Sequence, residues 1–539
     1  MPTAHDIVIR GGTLYDGTGA APRIGDLAID GDHIAAIGTV SARGSRELDA
    51  TGLVVAPGFI NMLSWATDTL FADGRSQSDI RQGVTLEVFG EGWSLGPLNA
   101  RMKKERLEQQ SDIRYDITWT TLDEALEALV ARGISTNIAS FVGATTVRMH
   151  EIANDDRPPT ADELTRMKAH VDRAMRDGAL GLGSSLIYAP AAYASTDELV
   201  ALCEAASLYG GMYISHMRSE GERLLEAIDE LITIARRAGV PAEIYHLKQS
   251  GRANWPKLDG AIARVERARA DGLRISADMY PYEAGATGLS ACLPPWAHDG
   301  GPEALRTRLG DPGHRARIRD EMSRAGDGWE NLYHDAGGPD GILLVSFKSQ
   351  ALKPLTGRTL AQIARERGGD PRDVAMDLVR EDESRVGMIA FVGSRENLAR
   401  EAGLPWMSFG SDAGSIAPEG VFLRSQPHPR TYGTFARVLG HFVRDLGATT
   451  LPDAIRRMTS FPAANLRLDR RGSLAIGSFA DVVAFDAATI ADHATYEQPH
   501  RYATGMRHVL VNGTPVLVDG EHTDARPGRV VRGPGAERS

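Results

Sequence analysis

The middle of this 539-residue chain alternates short apolar runs with amphipathic helical patterns, and no other feature restricts the fold as strongly. The runs are rich in branched residues and predict buried strands. They lie at Leu53–Ala56, Val84–Phe89, Asn137–Val142, Leu180–Ser184, Met212–Ser215, Ala242–Tyr245, Leu273–Ala277 and Met407–Phe409. Helical patterns fill most of the intervals, and three open with capping signals at Thr121-x-x-Glu124, Thr160-x-x-Glu163 and Ser195-x-x-Glu198. Eight strands with crossover helices predict a distorted (β/α)₈ barrel, an α/β fold.

Both ends of the chain are rich in short strand patterns instead. Asp30-Gly31 and Asn512-Gly513 each predict a tight hairpin. We expect residues 1–56 and 469–539 to form the two parts of a small β-sandwich, and residues 57–289 to hold barrel strands one to seven. The last two strand runs are about 130 residues apart, far more than an ordinary crossover needs. Residues 290–400 are therefore predicted to hold an inserted subdomain and extra helices, and residues 401–468 the eighth strand with closing helices.

Charge and composition exclude several classes of partner. The net charge is -11 and the basic residues are dispersed, so we expect neither a nucleic acid nor a membrane partner. The start, "MPTAHDIVIRGG", has no signal-peptide pattern, and no run of 18 apolar residues predicts a membrane span. Two cysteines are too few for a disulfide framework, which favours a cytoplasmic location. The oligomeric state is not specified by the sequence.

Polar residues follow four of the predicted strands at the end of the barrel where active sites lie. Glu91 follows strand two, His216 strand five, His246 strand six and Asp412 strand eight. Imidazole nitrogens and carboxylate oxygens are ligands that Zn²⁺ takes in catalytic sites. Glu91 also has an alternative interpretation as a solvated turn carboxylate between Gly90 and Gly92. Lys248, two residues beyond His246, is either functional or a solvated loop residue.

A series of sequence blocks then resembles one known family in the family's own order. The blocks are "DIVIRGGTLYDGTG", "VVAPGFI", "DGALGLGSSLIYAP", "HMRSEG", "HLKQSG", "YPYEAGATGL", "GSDAGS", "HPRTYGTF", "GSLAIGSFADVVAFD" and "VNGTPVLVDGEHT". Together they resemble the amidohydrolase superfamily and, within it, the D-aminoacylase (N-acyl-D-amino-acid deacylase) group. The resemblance covers nearly the whole chain and is more specific for the fold and the group than for the substrate.

The resemblance implies a zinc ion at the mouth of the barrel. The family holds its tightly bound zinc with histidines matching His216 and His246 and with a cysteine after strand two. Its general base matches Asp412, and the lysine matching Lys248 pairs with the substrate carboxylate. Tyrosines matching Tyr188 and Tyr282 line the substrate pocket.

This sequence departs from the family pattern at the residues that bind metal. The usual His-x-His is Leu63-Ser64-Trp65, and the aspartate before it is Asn61. No cysteine follows strand two, where Glu91 is the nearest ligand, and Ala144 stands where an imidazole is common after strand three. We therefore predict one zinc per chain, held by His216, His246, Glu91 and water. Leu63 and Trp65 are expected to fill the vacated volume as an apolar wall.

The leading functional hypothesis is a zinc-dependent amidohydrolase that cleaves the amide bond of an N-acyl (D-)amino acid or a related small carboxylate. Water activated by the single metal would attack, Asp412 would take and return its proton, and Lys248 would anchor the carboxylate. Two alternatives remain: the same site acting on a lactone, cyclic amide or ester or in a non-hydrolytic reaction, and a non-catalytic relative. His428 and Arg430 either bind substrate or have a structural role, while Asp278 and Glu283 carry no assigned role.

Overall fold

The computed structural model describes residues 5–326 and 328–536. Its strands, in chain order, are β1 His5–Leu14, β2 Arg23–Asp30, β3 His33–Gly38, β4 Gly44–Asp49, β5 Val54–Pro57, β6 Phe59–Asn61, β7 Val84–Phe89, β8 Asn137–Ser140, β9 Val142–Gly143, β10 Gly181–Ser185, β11 Met212–His216, β12 Ala242–Ile244, β13 Ile275–Met279, β14 Ala284–Gly288, β15 Ile342–Ser346, β16 Arg358–Thr359, β17 Gly387–Phe391, β18 Met407–Phe409, β19 Val482–Phe485, β20 Met506–Val511, β21 Thr514–Val518 and β22 Glu521–His522.

The α-helices alternate with these strands through the middle of the chain. They are α1 Thr67–Ala72, α2 Gln77–Ile80, α3 Ala100–Gln109, α4 Leu122–Arg132, α5 Ala144–Ile152, α6 Ala161–Arg176, α7 Thr196–Ser207, α8 Leu224–Ala238, α9 Leu258–Ala270, α10 Gly301–Arg308, α11 Pro312–Met322, α12 Leu332–Asp335, α13 Leu360–Arg367, α14 Pro371–Asp382, α15 Arg395–Glu401, α16 Arg430–Arg437, α17 Leu451–Met458 and α18 Ser460–Asn465. A π-helical segment, Val438–Asp445, follows α16 directly.

Strands from the two ends of the chain join in one hydrogen-bonded sheet. Its order is β22-β21-β20-β19-β5-β1-β2-β3, with β4 paired to β1. The junction is the antiparallel pair β5–β19, in which Ala56 lies opposite Val483. Both predicted hairpins form. The one between β20 and β21 turns at Asn512-Gly513, which both have positive φ, whereas the one between β2 and β3 turns at Gly31-Asp32, one residue later than predicted, because Asp30 is still paired with His33. The terminal segments thus build a β layer beside the barrel, as the predicted fold class requires.

Parallel strands form the barrel that places the site. One run has the order β6-β7-β8 and the other β9-β10-β11-β12-β13-β18. The amide of Met62, just after β6, donates to the carbonyl of Phe409 in β18 at 3.2 Å, which closes the ring. Side chains such as Met62, Leu86, Phe141 and Ile214 fill the interior. The carboxyl ends of these strands therefore meet at one mouth.

The first predicted barrel strand is wrong in its placement. Residues Leu53–Ala56 largely belong to β5 in the terminal sheet, and the barrel begins with β6, Phe59–Asn61. One apolar run is divided by Pro57-Gly58, because Pro57 has no amide for a continuing ladder. A Cβ on Gly58 would lie 2.1 Å from Thr85 Oγ1, so glycine permits the close turn into β6.

Helix starts follow the sequence signals closely. Thr121 and Glu124 form both halves of a capping box at α4, as Thr160 and Glu163 do at α6. At α7, Ser195 caps the helix but Glu198 does not return the bond, since its carboxylate pairs with buried Arg148 at 2.6 Å.

A separate layer lies between β13 and β18. The antiparallel sheet β14-β17-β15-β16 packs with helices α10–α14 around a hydrophobic cluster of its own. Strand β14 begins five residues after β13 ends, so this layer stands directly beside the barrel mouth and brings Thr287 and Arg385 close to Tyr188.

Candidate metal centre at the barrel mouth

Glu91 lies in the turn that follows β7, and it is buried. Only 4% of the residue is exposed, so the alternative of a solvated turn carboxylate is wrong. Gly90 and Gly92 flank it with φ of 111° and 69°. A Cβ at Gly90 would lie 2.5 Å from the carbonyl oxygen of Phe141, so glycine lets this turn lie against the neighbouring strand. The turn directs the carboxylate into the barrel mouth.

His216 and His246 point their ring nitrogens at the same place. Nδ1 of His216 and Nε2 of His246 are 3.0 Å apart, and each lies 3.0 Å from Oε1 of Glu91. His216 is the last residue of β11, and His246 follows β12 with φ of 32°, a left-handed conformation that is rare outside glycine. Such local strain is typical of functional sites.

The three donor atoms fit a metal ion. In the described residues, donor atoms of Glu91, His216 and His246 all lie within 4.8 Å of one another, and all three residues are buried. Burial would raise the pKa of the Glu91 carboxyl, but hydrogen bonds from the two imidazoles hold it well below the usual range. When a metal replaces these two protons, two imidazole nitrogens and a carboxylate oxygen that face one point suit Zn²⁺, and three protein ligands leave a position open.

Glu220 lies behind the two histidines. Its Oε1 is 2.9 Å from Nδ1 of His246, and its Oε2 is 3.7 Å from Nε2 of His216. A metal-binding histidine commonly donates its second N–H to a carboxylate, which fixes the tautomer and the orientation of the ring. Glu220 therefore occupies the position of an orienting carboxylate for His246.

Lys248 is paired with the same carboxylate. Its Nζ lies 2.7 Å from Glu220 Oε1, and its side chain is 14% exposed, so the solvated-loop interpretation is wrong. Burial would lower the pKa of Lys248, but the charge of Glu220 and the hydrogen bond to it raise that pKa above its usual value. The ammonium group stays charged beside the cluster of Glu91, His216 and His246.

Leu63 and Trp65 occupy the positions of the missing His-x-His in different ways. Leu63 is fully buried among the barrel core side chains. Trp65 is 37% exposed, and its indole Nε1 donates to Oε2 of Glu91 at 2.8 Å. The expected apolar wall is therefore incomplete, because Trp65 presents a polar edge to Glu91 Oε2 and leaves Oε1 facing the two imidazoles.

Asp412 stands at the mouth but is not part of the cluster of Glu91, His216 and His246. It has φ of 49°, and its Oδ2 pairs with Nη1 of Arg430 at 2.8 Å. Burial raises the pKa of Asp412, and the charge of Arg430 opposes that rise. Arg430 is itself buried and stacks over Tyr280, with Cζ 4.4 Å from the ring centroid.

The two predicted pocket tyrosines have different neighbours at the barrel mouth. The Tyr188 ring centroid is 5.4 Å from that of His216, and its hydroxyl hydrogen-bonds with Thr287 Oγ1 at 2.9 Å. Tyr282 lines a small cleft with His246 and Lys248, but its hydroxyl donates to Asp492 at 3.1 Å.

Other polar groups around the mouth are held structurally. His428 donates through Nε2 to the Ala284 carbonyl at 2.9 Å and accepts from the Arg430 amide at 3.0 Å, so both ring nitrogens are used. Asp278 accepts from the His246 amide at 3.0 Å, and Glu283 pairs with Arg395 at 2.7 Å. Asp278 thus supports the strained backbone of His246.

Sequence reasoning did not identify Glu220, the bond from Trp65 or the pairing of Arg430 with Asp412. Glu220 had a signal, since it lies four residues after His216 in "HMRSEG". The other two depend on rotamers of residues that are far apart in sequence, which no spacing reveals.

Comparison with known proteins shows the family to which the chain belongs. The model of the amidohydrolase family matches residues 46–517. D-aminoacylase of Alcaligenes xylosoxydans xylosoxydans is 34% identical over 98% of this chain and 97% of its own length. A solved D-aminoacylase structure, described for its binuclear centre with one-metal activation and second-metal attenuation, has 33% identity and a TM-score of 0.80 over 98% of this chain and 100% of that one.

A second solved structure contains the metal and a reaction mimic. It is N-acyl-D-glutamate deacylase from Bordetella bronchiseptica, complexed with zinc and a phosphonate that mimics the tetrahedral intermediate. Identity is 29% and the TM-score is 0.81, with 98% of this chain and 100% of that chain covered.

Within the described residues, no helix has the length and apolar character needed to cross a membrane.

Proposed function

Because the chain belongs to the amidohydrolase family, we propose that it is a zinc-dependent hydrolase that cleaves the amide bond of an N-acyl-D-amino acid. The enzyme thus belongs to the hydrolases that act on C–N bonds other than peptide bonds. The observation that carries this proposal is the convergence of Glu91, His216 and His246 at the barrel mouth of a chain similar to D-aminoacylase along nearly its whole length.

One zinc ion per chain is proposed at these three residues. Zinc supplies polarisation of a carbonyl and lowers the pKa of water to about 7. Glu91 offers Oε1 while Trp65 holds Oε2, and Glu220 orients His246. Leu63 and Trp65 offer no ligand where the second metal of the family is expected, so a single-metal site is proposed.

Asp412 is proposed to move the proton of the attacking water. Its Oδ2 is held by Arg430, and Oδ1 has no hydrogen-bond partner within the described part of the chain. Oδ1 therefore takes the proton from water and returns it to the leaving amine. The charge of Arg430 favours the ionised form of the carboxylate against the effect of burial, and the ion pair fixes its orientation.

The substrate is proposed to carry a carboxylate and to have the D configuration. Lys248 is a charged, partly accessible cation beside the ligands, and a carboxylate of the substrate can share it with Glu220. The D preference is supported only by the names of the relatives, D-aminoacylase and N-acyl-D-glutamate deacylase. A cytoplasmic location is also proposed, supported by two buried, unpaired cysteines, Cys203 and Cys292.

A substrate panel tests the proposal. The zinc-loaded protein is incubated with N-acetyl-D- and N-acetyl-L-amino acids of acidic, aliphatic and aromatic type, and with lactones and esters, and amine or acid release is followed. We expect amine release from D substrates above L substrates, with Asp412→Asn as the inactive control. Release from lactones or esters alone, or no release from any N-acyl amino acid by folded zinc-loaded protein, would contradict the proposal.

A further inference from the structure

A second group of metal-binding side chains lies outside the barrel mouth, between α5 and α6. His150 and Glu151 are near the end of α5, and His170 is on α6. In the described residues, one ligand atom from each lies within 4.8 Å of the other two. None of the three residues belongs to the centre formed by Glu91, His216 and His246.

The geometry concentrates the donors on one carboxylate oxygen. Nδ1 of His150 lies 2.9 Å from Glu151 Oε1, and Nε2 of His170 lies 3.0 Å from the same oxygen. The two imidazole ring centroids are 4.1 Å apart with a tilt of 56° between the rings. Nitrogens from two helices therefore approach one point from different directions.

The second oxygen of the Glu151 carboxylate is held by Arg166. Arg166 Nε lies 2.6 Å from Oε2 of Glu151, which leaves Oε1 directed at the two imidazoles. A partner on the second oxygen fixes a ligand's orientation. The side chains of His150, Glu151 and His170 are 21%, 9% and 26% exposed, so an ion can enter from solvent and keep water ligands.

We propose that His150, Glu151 and His170 form a second metal site that binds a divalent transition-metal ion such as zinc and ties α5 to α6. Two imidazoles and one carboxylate select borderline ions such as zinc, cobalt, nickel or copper over magnesium and calcium. The nearby Arg166 charge and the partial exposure make this site weaker than the buried centre.

The site has a structural connection to the barrel mouth. At the other end of α5, the Thr145 amide donates to the carbonyl of Gly92 at 2.9 Å, and the Ser94 amide donates to Thr146 Oγ1 at 2.8 Å. The first turn of α5 thus holds the segment that follows Glu91. A metal that fastens the end of α5 to α6 stabilises the helix on which this segment rests.

Metal titration of the full chain tests the proposal. Metal-free protein is titrated with zinc and cobalt, and bound metal is counted by calorimetry and elemental analysis. We expect two equivalents in the wild type, and one in His170→Ala, in His150→Ala and in His216→Ala. In His170→Ala the tighter equivalent remains, whereas in His216→Ala the weaker one remains, so failure of one site is distinguished from failure of the other.

A matched control uses another histidine paired with a carboxylate. His314 lies 3.0 Å from Asp311 and is half exposed, but belongs to no three-ligand group among the described residues. His314→Ala should keep both equivalents. Zinc should raise the melting temperature of His216→Ala through the weaker site, and Glu151→Gln added to that variant should abolish the rise. Equal metal counts in the wild type and His170→Ala, or the same zinc-induced rise with and without Glu151→Gln, would show that the cluster is only a surface ion-pair network.

Discussion

Replacing Trp65 by phenylalanine should weaken zinc binding at the barrel mouth without unfolding the protein. Phenylalanine keeps most of the ring but removes the indole N–H that lies 2.8 Å from Glu91 Oε2. Without that donor, Glu91 loses the contact that holds Oε1 beside His216 and His246. The carboxylate is then free to rotate among several orientations, and zinc must fix it on binding.

The size of the effect follows from the exposure of the bond. A buried hydrogen bond to a charged group is worth about 1.5–3 kcal/mol. Trp65 is 37% exposed, so water replaces part of the lost interaction. We take about 1.4 kcal/mol, which is a tenfold rise in the dissociation constant of zinc.

Chelator competition measures that constant, and circular dichroism checks the fold. Trp93→Phe is the matched control, since Trp93 lies in the same turn and its indole makes no hydrogen bond to Glu91 among the described contacts. Glu91→Gln serves as the reference for damage to the ligand itself. If Trp65→Phe binds zinc as tightly as Trp93→Phe while Glu91→Gln binds it more weakly, the orienting role of Trp65 is refuted.

Three further predictions concern buried carboxylates. Asp412→Asn should lower kcat by at least about 100-fold with zinc content unchanged, because a general base typically contributes that much; full activity in steady-state assays would contradict the assignment. Glu220→Gln should weaken zinc binding by about 10–100-fold, since it removes the orienting charge beside His246, and an unchanged dissociation constant would refute it. Burial raises the pKa of Asp335 to about 8, so its contribution to the free energy of unfolding is present below about pH 4 and is lost as pH rises through about 8, by up to about 1.4 kcal/mol per pH unit. The Asp335→Asn variant should therefore lose less stability than the wild type between about pH 5 and pH 8, as measured by urea unfolding. An equal loss of the free energy of unfolding in both proteins would contradict the raised pKa of Asp335.

The sequence was enough for those features that depend on local patterns. Thr121 and Glu124 predict the start of α4 because a capping box is a contact between residues close together in the chain. His216, His246 and Glu91 could be brought together because the ends of parallel barrel strands must meet, whatever the rotamers. The convergence of these three side chains was predictable for that reason, without its detailed geometry.

Features that depend on contacts between residues far apart in the sequence could not be predicted in this way. The division of one apolar run at Pro57-Gly58 places its halves in two sheets, and only the partners of each strand reveal this. Trp65 was expected to form part of an apolar wall because most of its side chain is an apolar ring. In the structure, the single N–H of that ring makes the contact with Glu91. Arg430 meets Asp412 across a long loop, and no spacing rule fixes that pair.

Metal content of the barrel mouth tests the central claim most directly. Zinc per chain is measured by elemental analysis in His170→Ala, which removes a ligand of the proposed second site, and in the double variant His170→Ala/His216→Ala. The account predicts one zinc per chain in the first protein and none in the second, with both folded. Two zinc ions in the first, none even after zinc is supplied, or one that persists when His216 is replaced would contradict the single-metal centre.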